Sequence, residues 1–242
     1  MTHSGTLRSA GEITPEPQWA ALEKYTLGPE RSLRQQLLEA ERELEAAQKR
    51  KEAVLDELKI VGSLRGLLYE KGKPLENAII QALRAFGFTA NAFKQSSSEF
   101  DVVFESTEGR LIGEAEGKDN KAVNVDKLRQ LAMNIHEDLL RDEVKSPAKP
   151  VLFGNAFRLQ PLEVRAEPFT EKCSSAAAAS STALVFTPDL FAPVQYLNSQ
   201  VDEDYARECR LVLLNTVGRV TFPSSPTMVE ATEVVSSAES DT

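Results

Sequence analysis

Charged residues alternate along one short segment of the chain. Residues 100–104 read FDVVF, and residues 111–118 read LIGEAEGK after a turn that ends in Gly109. Both runs are typical of β-strands, and strand alternation places Glu114 and Glu116 on the same face. The pattern therefore predicts a hairpin with two carboxylates on one side of its second strand.

A third carboxylate lies near the start of the first predicted strand. A hairpin can bring Asp101 within reach of Glu114 or Glu116, and the same face carries Lys118. Clustered carboxylates repel each other unless a cation lies between them, and hard oxygen ligands suit Mg²⁺ or Mn²⁺. A metal site is one interpretation. The other is an ordinary solvated face, because antiparallel sheets often expose one side to water.

A helix is predicted before the hairpin. It opens at residues 72–76 with Pro74 in its first turn, and Gly87 ends it. Its apolar residues recur at helical spacing, at Leu75, Ile79, Leu83 and Phe86. Glu76 belongs to the first turn, where it can face the strands that follow.

A second amphipathic helix is predicted from Val125 onward. Its buried stripe is expected to contain Leu128, Leu131, Ile135 and Leu139. Asp126, Gln130 and Asn134 follow one another at intervals of four residues and form a polar face.

Strands and helices continue to alternate after this helix. Strands are predicted at residues 150–157 and 182–187, and helices at residues 169–179, from Pro188, and at residues 202–215. This alternation predicts an α/β fold, with a mixed β-sheet flanked by helices on both sides.

The order of these elements, with D at 101 and E-x-E-G-K at 114–118, resembles the restriction-endonuclease-like, or PD-(D/E)XK, phosphodiesterase superfamily. The resemblance covers residues 67–222. It implies a restriction-endonuclease-like core and metal-dependent cleavage of phosphodiester bonds. Phe100 stands where the family motif has Pro.

The resemblance also implies roles for particular residues. Asp101 and a glutamate, Glu114 or Glu116, would bind Mg²⁺ or Mn²⁺, and Lys118 would orient water or stabilise the phosphorane. Glu76 would support the site. Gln130 occupies the position of a glutamine found in recombination-type members, although Asn134 replaces their aromatic residue.

Two registers of the motif remain open. In one, Glu116 and Lys118 form the E-x-K triplet. In the other, Glu114 and Glu116 form an E-x-E triplet, Glu116 takes the lysine position, and Lys118 contacts phosphate. Gly117 slightly favours the second register, because glycine often follows the motif in such relatives.

The N-terminal part of the chain has a different composition. Residues 1–29 are predicted to be flexible, and residues 30–66 to form a coiled-coil helix. A seam of a and d positions runs from Leu33 to Val61, with Lys51 at one a position. The helix pairs with a second copy or a partner protein through residues 30–61, or it packs alone against the following domain.

The formal net charge is −9. Residues 223–242 contain acidic residues and no Lys or Arg, and are predicted to form a disordered acidic tail. Basic residues bracket the motif and form either a phosphate-facing rim or an ordinary mixed surface. They are Lys94, Lys118, Lys121, Lys127 and Arg129.

Composition narrows the class of protein. Two cysteines and two histidines are too few for a zinc site. The sequence contains no long apolar run, so neither export nor a membrane span is predicted. Composition therefore predicts a cytoplasmic protein. The resemblance implies a metal-dependent endo- or exonuclease that acts on nucleic acid, with DNA as the expected substrate, in DNA repair or in defence against foreign DNA. The alternative is a nuclease-fold binding module that has lost catalysis and is recruited through its coiled coil.

Overall fold

The computed structural model describes residues 14–95, 98–142, 144 and 147–226, without the side chains of residues 93–95 and 98–100. The described chain divides into two compact units, one that ends at Leu58 and one that begins at Lys59. Most of the predicted acidic tail and the first 13 residues of the predicted flexible segment lie outside the described residues.

Helix α1 (Gly28–Ser63) is 36 residues long and contains no buried residue. Its sequence has neither Pro nor Gly between residues 30 and 61, and ion pairs at i,i+4 spacing join Glu30 to Arg34 and Glu45 to Lys49. Such pairs stabilise an exposed helix by a few tenths of a kcal/mol each, about 0.2–0.5. The predicted long N-terminal helix is confirmed.

The second unit contains six further α-helices and six strands among the described residues. The helices are α2 (Gly66–Tyr69), α3 (Gly72–Ala85), α4 (Asp126–Leu139), α5 (Glu171–Ala179), α6 (Phe191–Ser199) and α7 (Glu203–Asn215). The strands are β1 (Thr89–Gln95), β2 (Ser98–Glu105), β3 (Arg110–Gly117), β4 (Lys149–Asn155), β5 (Ala183–Phe186) and β6 (Gly218–Arg219).

The strands form one sheet in the order β1-β2-β3-β4-β5-β6. β1, β2 and β3 pair antiparallel, whereas β3, β4, β5 and β6 pair parallel. Strand β3 is therefore the point at which the sheet changes from antiparallel to parallel pairing. The predicted α/β fold with a mixed sheet and flanking helices is confirmed.

The two faces of the sheet carry separate apolar cores. α3, α6 and α7 contribute to one core, and α4 and α5 contribute to the other. Strand alternation divides β3 between them, because Leu111 and Ala115 belong to the first core and Ile112 to the second. Glu114 has the same parity as Ile112 and lies on the face that α4 covers.

Several predicted boundaries shift in the structure. β4 ends at Asn155 rather than residue 157, because Phe157 has a positive φ of 50° that is incompatible with a strand. The stripe predicted on α4 is correct for Leu128 and Leu131 and wrong for Leu139, which is 40% exposed. Asn134 and Asp138 are buried on that helix instead.

No helix among the described residues is both long enough and apolar enough to span a bilayer.

A buried arginine joins α7 to the β2–β3 turn. Arg210 donates to the carbonyl of Phe86 (2.6 Å), to both oxygens of Glu108 (3.0 Å each) and to Glu203 (2.8 Å). Hydrogen bonds from Arg210, and a further one from Ser106, lower the pKa of Glu108 to about 2. The turn of the motif hairpin is therefore fixed to the body of the unit.

Replacing Arg210 with Met should destabilise the fold. The change leaves the buried carbonyl of Phe86 without this donor, and we expect the free energy of unfolding to fall by about 2 kcal/mol in urea denaturation. Arg207→Met is the matched control on α7, because Arg207 approaches Glu108 at 3.6 Å and its side chain is 61% exposed. An equal effect of the two substitutions would contradict an anchoring role of Arg210.

Candidate functional site

Glu114 is a fully buried carboxylate in the middle of β3. Its Oε1 accepts a hydrogen bond from Asn134 Nδ2 at 2.6 Å, and its Oε2 accepts one from Lys127 Nζ at 3.1 Å. A buried charge is costly unless it is paired and hydrogen-bonded. Both of these donors come from α4, so the helix that covers this face of the sheet also satisfies the carboxylate.

Asp101 lies beside Glu114 at the end of the β2–β3 ladder. Backbone pairing of the two strands is regular up to Val102 and Gly113, and Asp101 Oδ2 then accepts a hydrogen bond from the backbone N–H of Ala115 at 2.8 Å. The Asp101 carboxylate thus accepts from a backbone N–H that lies beyond the last backbone pair of the ladder. The structure places Asp101 next to Glu114, one of the two glutamates that the hairpin was expected to bring within its reach.

Burial and the charge of Asp101 raise the pKa of Glu114 to about 7, although Lys127 opposes the shift. Burial acts to lower the pKa of Lys127, but Glu114, Asp101 and Glu116 outweigh it, so that the pKa rises. Lys127 therefore stays protonated at neutral pH, whereas Glu114 can exchange a proton there. The three carboxylates act on one ammonium group.

The local sequence of α4 explains how these donors reach the sheet. Lys127, Gln130 and Asn134 are spaced i, i+3 and i+7, so they lie on one side of the helix. Leu128 and Leu131 bury the adjacent side against the second core. Gln130 Oε1 accepts a hydrogen bond from Lys127 Nζ at 3.0 Å and so positions the ammonium group.

A second polar contact holds the other end of α4 on β3. Arg110, at the start of the strand, forms a bidentate ion pair with the buried Asp138, and Arg141 also contacts Asp138 at 3.2 Å. The helix is thus attached to the strand at residues 110 and 114. This attachment fixes the height of Lys127 and Asn134 along β3.

Glu116 and Lys118 lie further along the same face and pair with each other. Their carboxylate and ammonium groups are 2.5 Å apart, and the side chains are 19% and 25% exposed. Lys118 follows the last residue of β3.

Gly117 permits a close approach between β3 and the segment before α3. A Cβ atom at this position would lie 2.3 Å from Cβ and 2.9 Å from Cα of Lys71. Any other residue would force the two backbones apart. A glycine after the motif therefore has a packing reason here and does not distinguish the two registers.

Three lysines line a shallow cleft at the end of β3. Its lining includes Lys71, Lys118 and Lys121 together with Asp119 and Asn120. Asp119 accepts from Arg158 at 2.6 Å and from Lys71 at 3.3 Å, and both contacts lower its pKa. Lys118 of the motif is thus one of three lysines that line this cleft.

The remaining predicted basic residues differ in position. Arg129 is exposed and pairs with Asp126 on its own helix at 3.5 Å. The side chain of Lys94 lies outside the described part of the chain. Lys127, one of the residues of the expected phosphate-facing rim or mixed surface, hydrogen-bonds to Glu114.

Glu76 lies on α3, which contributes to the core on the opposite face of the sheet. It pairs with Lys73 at 2.7 Å, and its side chain is 13% exposed. Within the described ranges, no group of three or more His, Cys, Asp and Glu side chains is arranged to hold a metal ion. Asp101 and Glu114 remain the adjacent pair of candidate ligands.

Two residues of the site, Lys127 and Asn134, are not predicted by the sequence pattern as partners of Glu114. The sequence pattern predicts Asn134 on the polar face of its helix, in place of the aromatic residue of the family, and Lys127 in a phosphate-facing rim or an ordinary mixed surface. Their seven-residue spacing, which is close to two helical turns, indicates that the two side chains share one side of the helix. Which carboxylate they would contact depends on how the helix sits on the sheet, and the pattern of one helix does not contain this information.

Comparison with known proteins gives limited similarity. No family model and no curated protein matches the chain. The solved structure of restriction endonuclease FokI aligns at 10% identity with a TM-score of 0.41, over 62% of this chain and 28% of the FokI chain. The crystal structure of protein of unknown function AF1548 aligns at 16% identity with a TM-score of 0.35, over 56% and 75% of the two chains. The match thus spans less than one third of FokI.

The pKa of Glu114 predicts a pH-dependent cost. The pKa of Glu114 is 4.5 in the unfolded chain and about 7 in the folded chain, so the folded state binds this proton more tightly. The stabilising contribution of the bound proton is complete below pH 4.5 and is lost as the pH rises through 7. The Glu114→Gln variant cannot ionise at this position. Between pH 4.5 and 7, its free energy of unfolding should therefore rise by about 3 kcal/mol relative to that of the wild type. Urea denaturation at several pH values measures the difference. Glu39→Gln on α1 is the control, and a pH-independent difference for Glu114→Gln would contradict the buried carboxylate.

Proposed function

We propose that the chain is a metal-dependent nuclease that hydrolyses phosphodiester bonds, with DNA as the substrate expected from the motif resemblance. The observation that supports this most is the buried Glu114 beside Asp101, with the ammonium of Lys127 hydrogen-bonded to the same carboxylate. A carboxylate pair next to a fixed cation suits chemistry at a negatively charged phosphate.

The proposed divalent metal ion would be held by Asp101 and Glu114. Asp101 and Glu114 offer hard oxygen donors, and Mg²⁺ in proteins usually takes only one or two carboxylates and keeps several waters. A bound Mg²⁺ or Mn²⁺ would supply a lowered water pKa and neutralise charge on the phosphate. Glu114, with its pKa of about 7, would release a proton to bind such a cation.

Lys127 would perform the role that the motif assigns to a lysine. Its ammonium is held by Glu114 and Gln130, and its raised pKa keeps it charged. A phosphodiester that reaches Asp101 and Glu114 meets this charge, which can stabilise the additional negative charge of the transition state. Asn134 would keep the Glu114 carboxylate oriented through its hydrogen bond at 2.6 Å.

This assignment favours the E-x-E register. Asp101 neighbours Glu114, whereas Glu116 pairs with Lys118 at 2.5 Å. Glu114 would then be the acidic ligand, and Glu116 would occupy the lysine position of the motif. Lys118, with Lys71 and Lys121 in the cleft at the end of β3, would contact the phosphate backbone on either side of the scissile bond.

A binding module without catalysis is the second candidate. It is favoured by the lack of a three-ligand group among the described residues. In that case the ion pair between Lys127 and Glu114 would be purely structural, and the lysine-lined cleft would bind nucleic acid without cleaving it.

Cleavage assays separate the two candidates. We expect cleavage of plasmid or linear single-stranded DNA in Mg²⁺ or Mn²⁺ and none in EDTA, and RNA serves as the test of sugar preference. Asp101→Asn and Glu114→Gln should each reduce the rate by at least about a hundredfold, because the amide keeps the shape but removes the charge that attracts the cation.

Binding measurements provide the control for these variants. Both should bind the uncleaved DNA within a few-fold of the wild type, and circular dichroism should show a native fold. DNA binding without cleavage by the wild type in either metal would reject the nuclease and support the binding module.

A lysine series tests the source of the catalytic cation. Lys127→Met should lower turnover by about a hundredfold with little change in KM, because its charge is used in the transition state. Lys118→Met should mainly raise KM if Lys118 contacts phosphate. Arg129→Met, on the same helix and 76% exposed at its side chain, is the control. A turnover loss at Lys118 but not at Lys127 would establish the E-x-K register instead, in which Glu116→Gln should weaken metal binding.

A further inference from the structure

Helix α1 carries an apolar seam whose side chains are exposed to solvent. The seam residues alternate at intervals of four and three, and the large ones are 61–72% exposed: Leu33, Leu37, Leu44, Val54, Leu58 and Val61. A continuous exposed apolar stripe of this kind marks an interaction surface. Its a positions are residues 37, 44, 51 and 58, and its d positions are residues 33, 40, 47, 54 and 61.

We propose that this seam pairs two copies of the chain as an antiparallel coiled coil, with its two-fold axis between Glu45 and Ala46. This assigns both the occupant of the surface and its direction. No residue of the candidate active site takes part, so a catalytically inactive protein would pair in the same way.

Parallel pairing in register places identical residues opposite each other. Lys51 would then face Lys51 of the second copy inside the seam, where two ammonium groups repel. Ala40 and Ala47 would each face themselves and leave two layers with little side-chain volume to pack. The parallel arrangement therefore combines a buried repulsion with two underfilled layers.

Antiparallel pairing about the proposed axis removes both defects. Each a residue then faces a d residue of the second copy, and the residue numbers of the two partners add up to 91. Leu44 faces Ala47, and Lys51 faces Ala40, so a large side chain meets a small one in each of these layers. The outer layers pair Leu37 with Val54 and Leu33 with Leu58.

The charges beside the seam also favour the antiparallel direction. Antiparallel helices bring g positions next to g positions, and the proposed register joins Glu43 to Arg50 of the second copy, twice by symmetry. In the parallel direction Glu43 would meet Gln48, and Arg50 would meet Leu55. Opposite charges thus pair across the interface in one direction only.

The self-complementary layers indicate a second copy rather than an unrelated protein. Over its 36 residues the helix is about 54 Å long, so the chain segments that follow Ser63 in the two copies leave the pair at opposite ends. Parallel pairing would instead release both segments at the same end.

Cysteine cross-linking of the full-length protein tests the direction. Under a glutathione redox buffer, a mixture of Leu44→Cys and Ala47→Cys chains should form the mixed disulfide dimer at least tenfold more than Ala47→Cys alone forms its own. Parallel pairing predicts efficient cross-linking of Ala47→Cys with itself. The wild type, whose Cys173 and Cys209 are buried, gives the background.

A charge-reversal cycle tests the register independently. Glu43→Arg and Arg50→Glu should each raise the dimer dissociation constant about tenfold at low salt, and the double variant should restore it. The control pair is Glu45→Lys and Lys49→Glu, whose 2.8 Å ion pair lies outside the seam. A monomer at micromolar concentration in analytical ultracentrifugation, or a cycle without coupling between residues 43 and 50, would overturn the proposal.

Discussion

The contact between a buried glutamate and the helix that covers it organises the second unit. Glu114 lies in the middle of the sheet on the strand where pairing changes from antiparallel to parallel, and it is fully buried. Its carboxylate is tolerated there because Asn134 and Lys127 donate to it from α4. The position of α4, and with it of Lys127 and Asn134, depends on this contact.

The polar contacts of α4 and the apolar core beneath it have different roles. Leu128 and Leu131 supply burial, which is not directional. The Arg110–Asp138 pair and the donors to Glu114 fix the register of the helix on β3, because charge-assisted hydrogen bonds tolerate little displacement. The same bonds that hold the helix therefore set the electrostatics of the proposed site, where a carboxylate with a pKa of about 7 lies beside a charged lysine.

Charge is distributed unevenly along the chain. The formal net charge of −9 would weaken binding to nucleic acid if it were spread evenly. The cleft at the end of β3 instead collects three lysines, and α1 carries closely alternating charges of both signs. Local potential rather than net charge is thus the relevant quantity for a phosphate ligand, since exposed charges act over only about 8 Å at physiological salt.

The sequence by itself determined the α/β class, the long N-terminal helix and the hairpin that brings Asp101 within reach of Glu114 or Glu116. Each of these follows from short-range periodicity or from one tight turn, which act within a few residues. Tertiary structure decided which polar side chains of each helix face the sheet. It placed Glu76 on the opposite side, exposed Leu139, and brought Lys127 and Asn134 to Glu114. These outcomes depend on the rotation of a helix and its position along the sheet, which are set by partners distant in sequence. The pattern of the helix shows which side chains share a side, but not which groups of the sheet they contact.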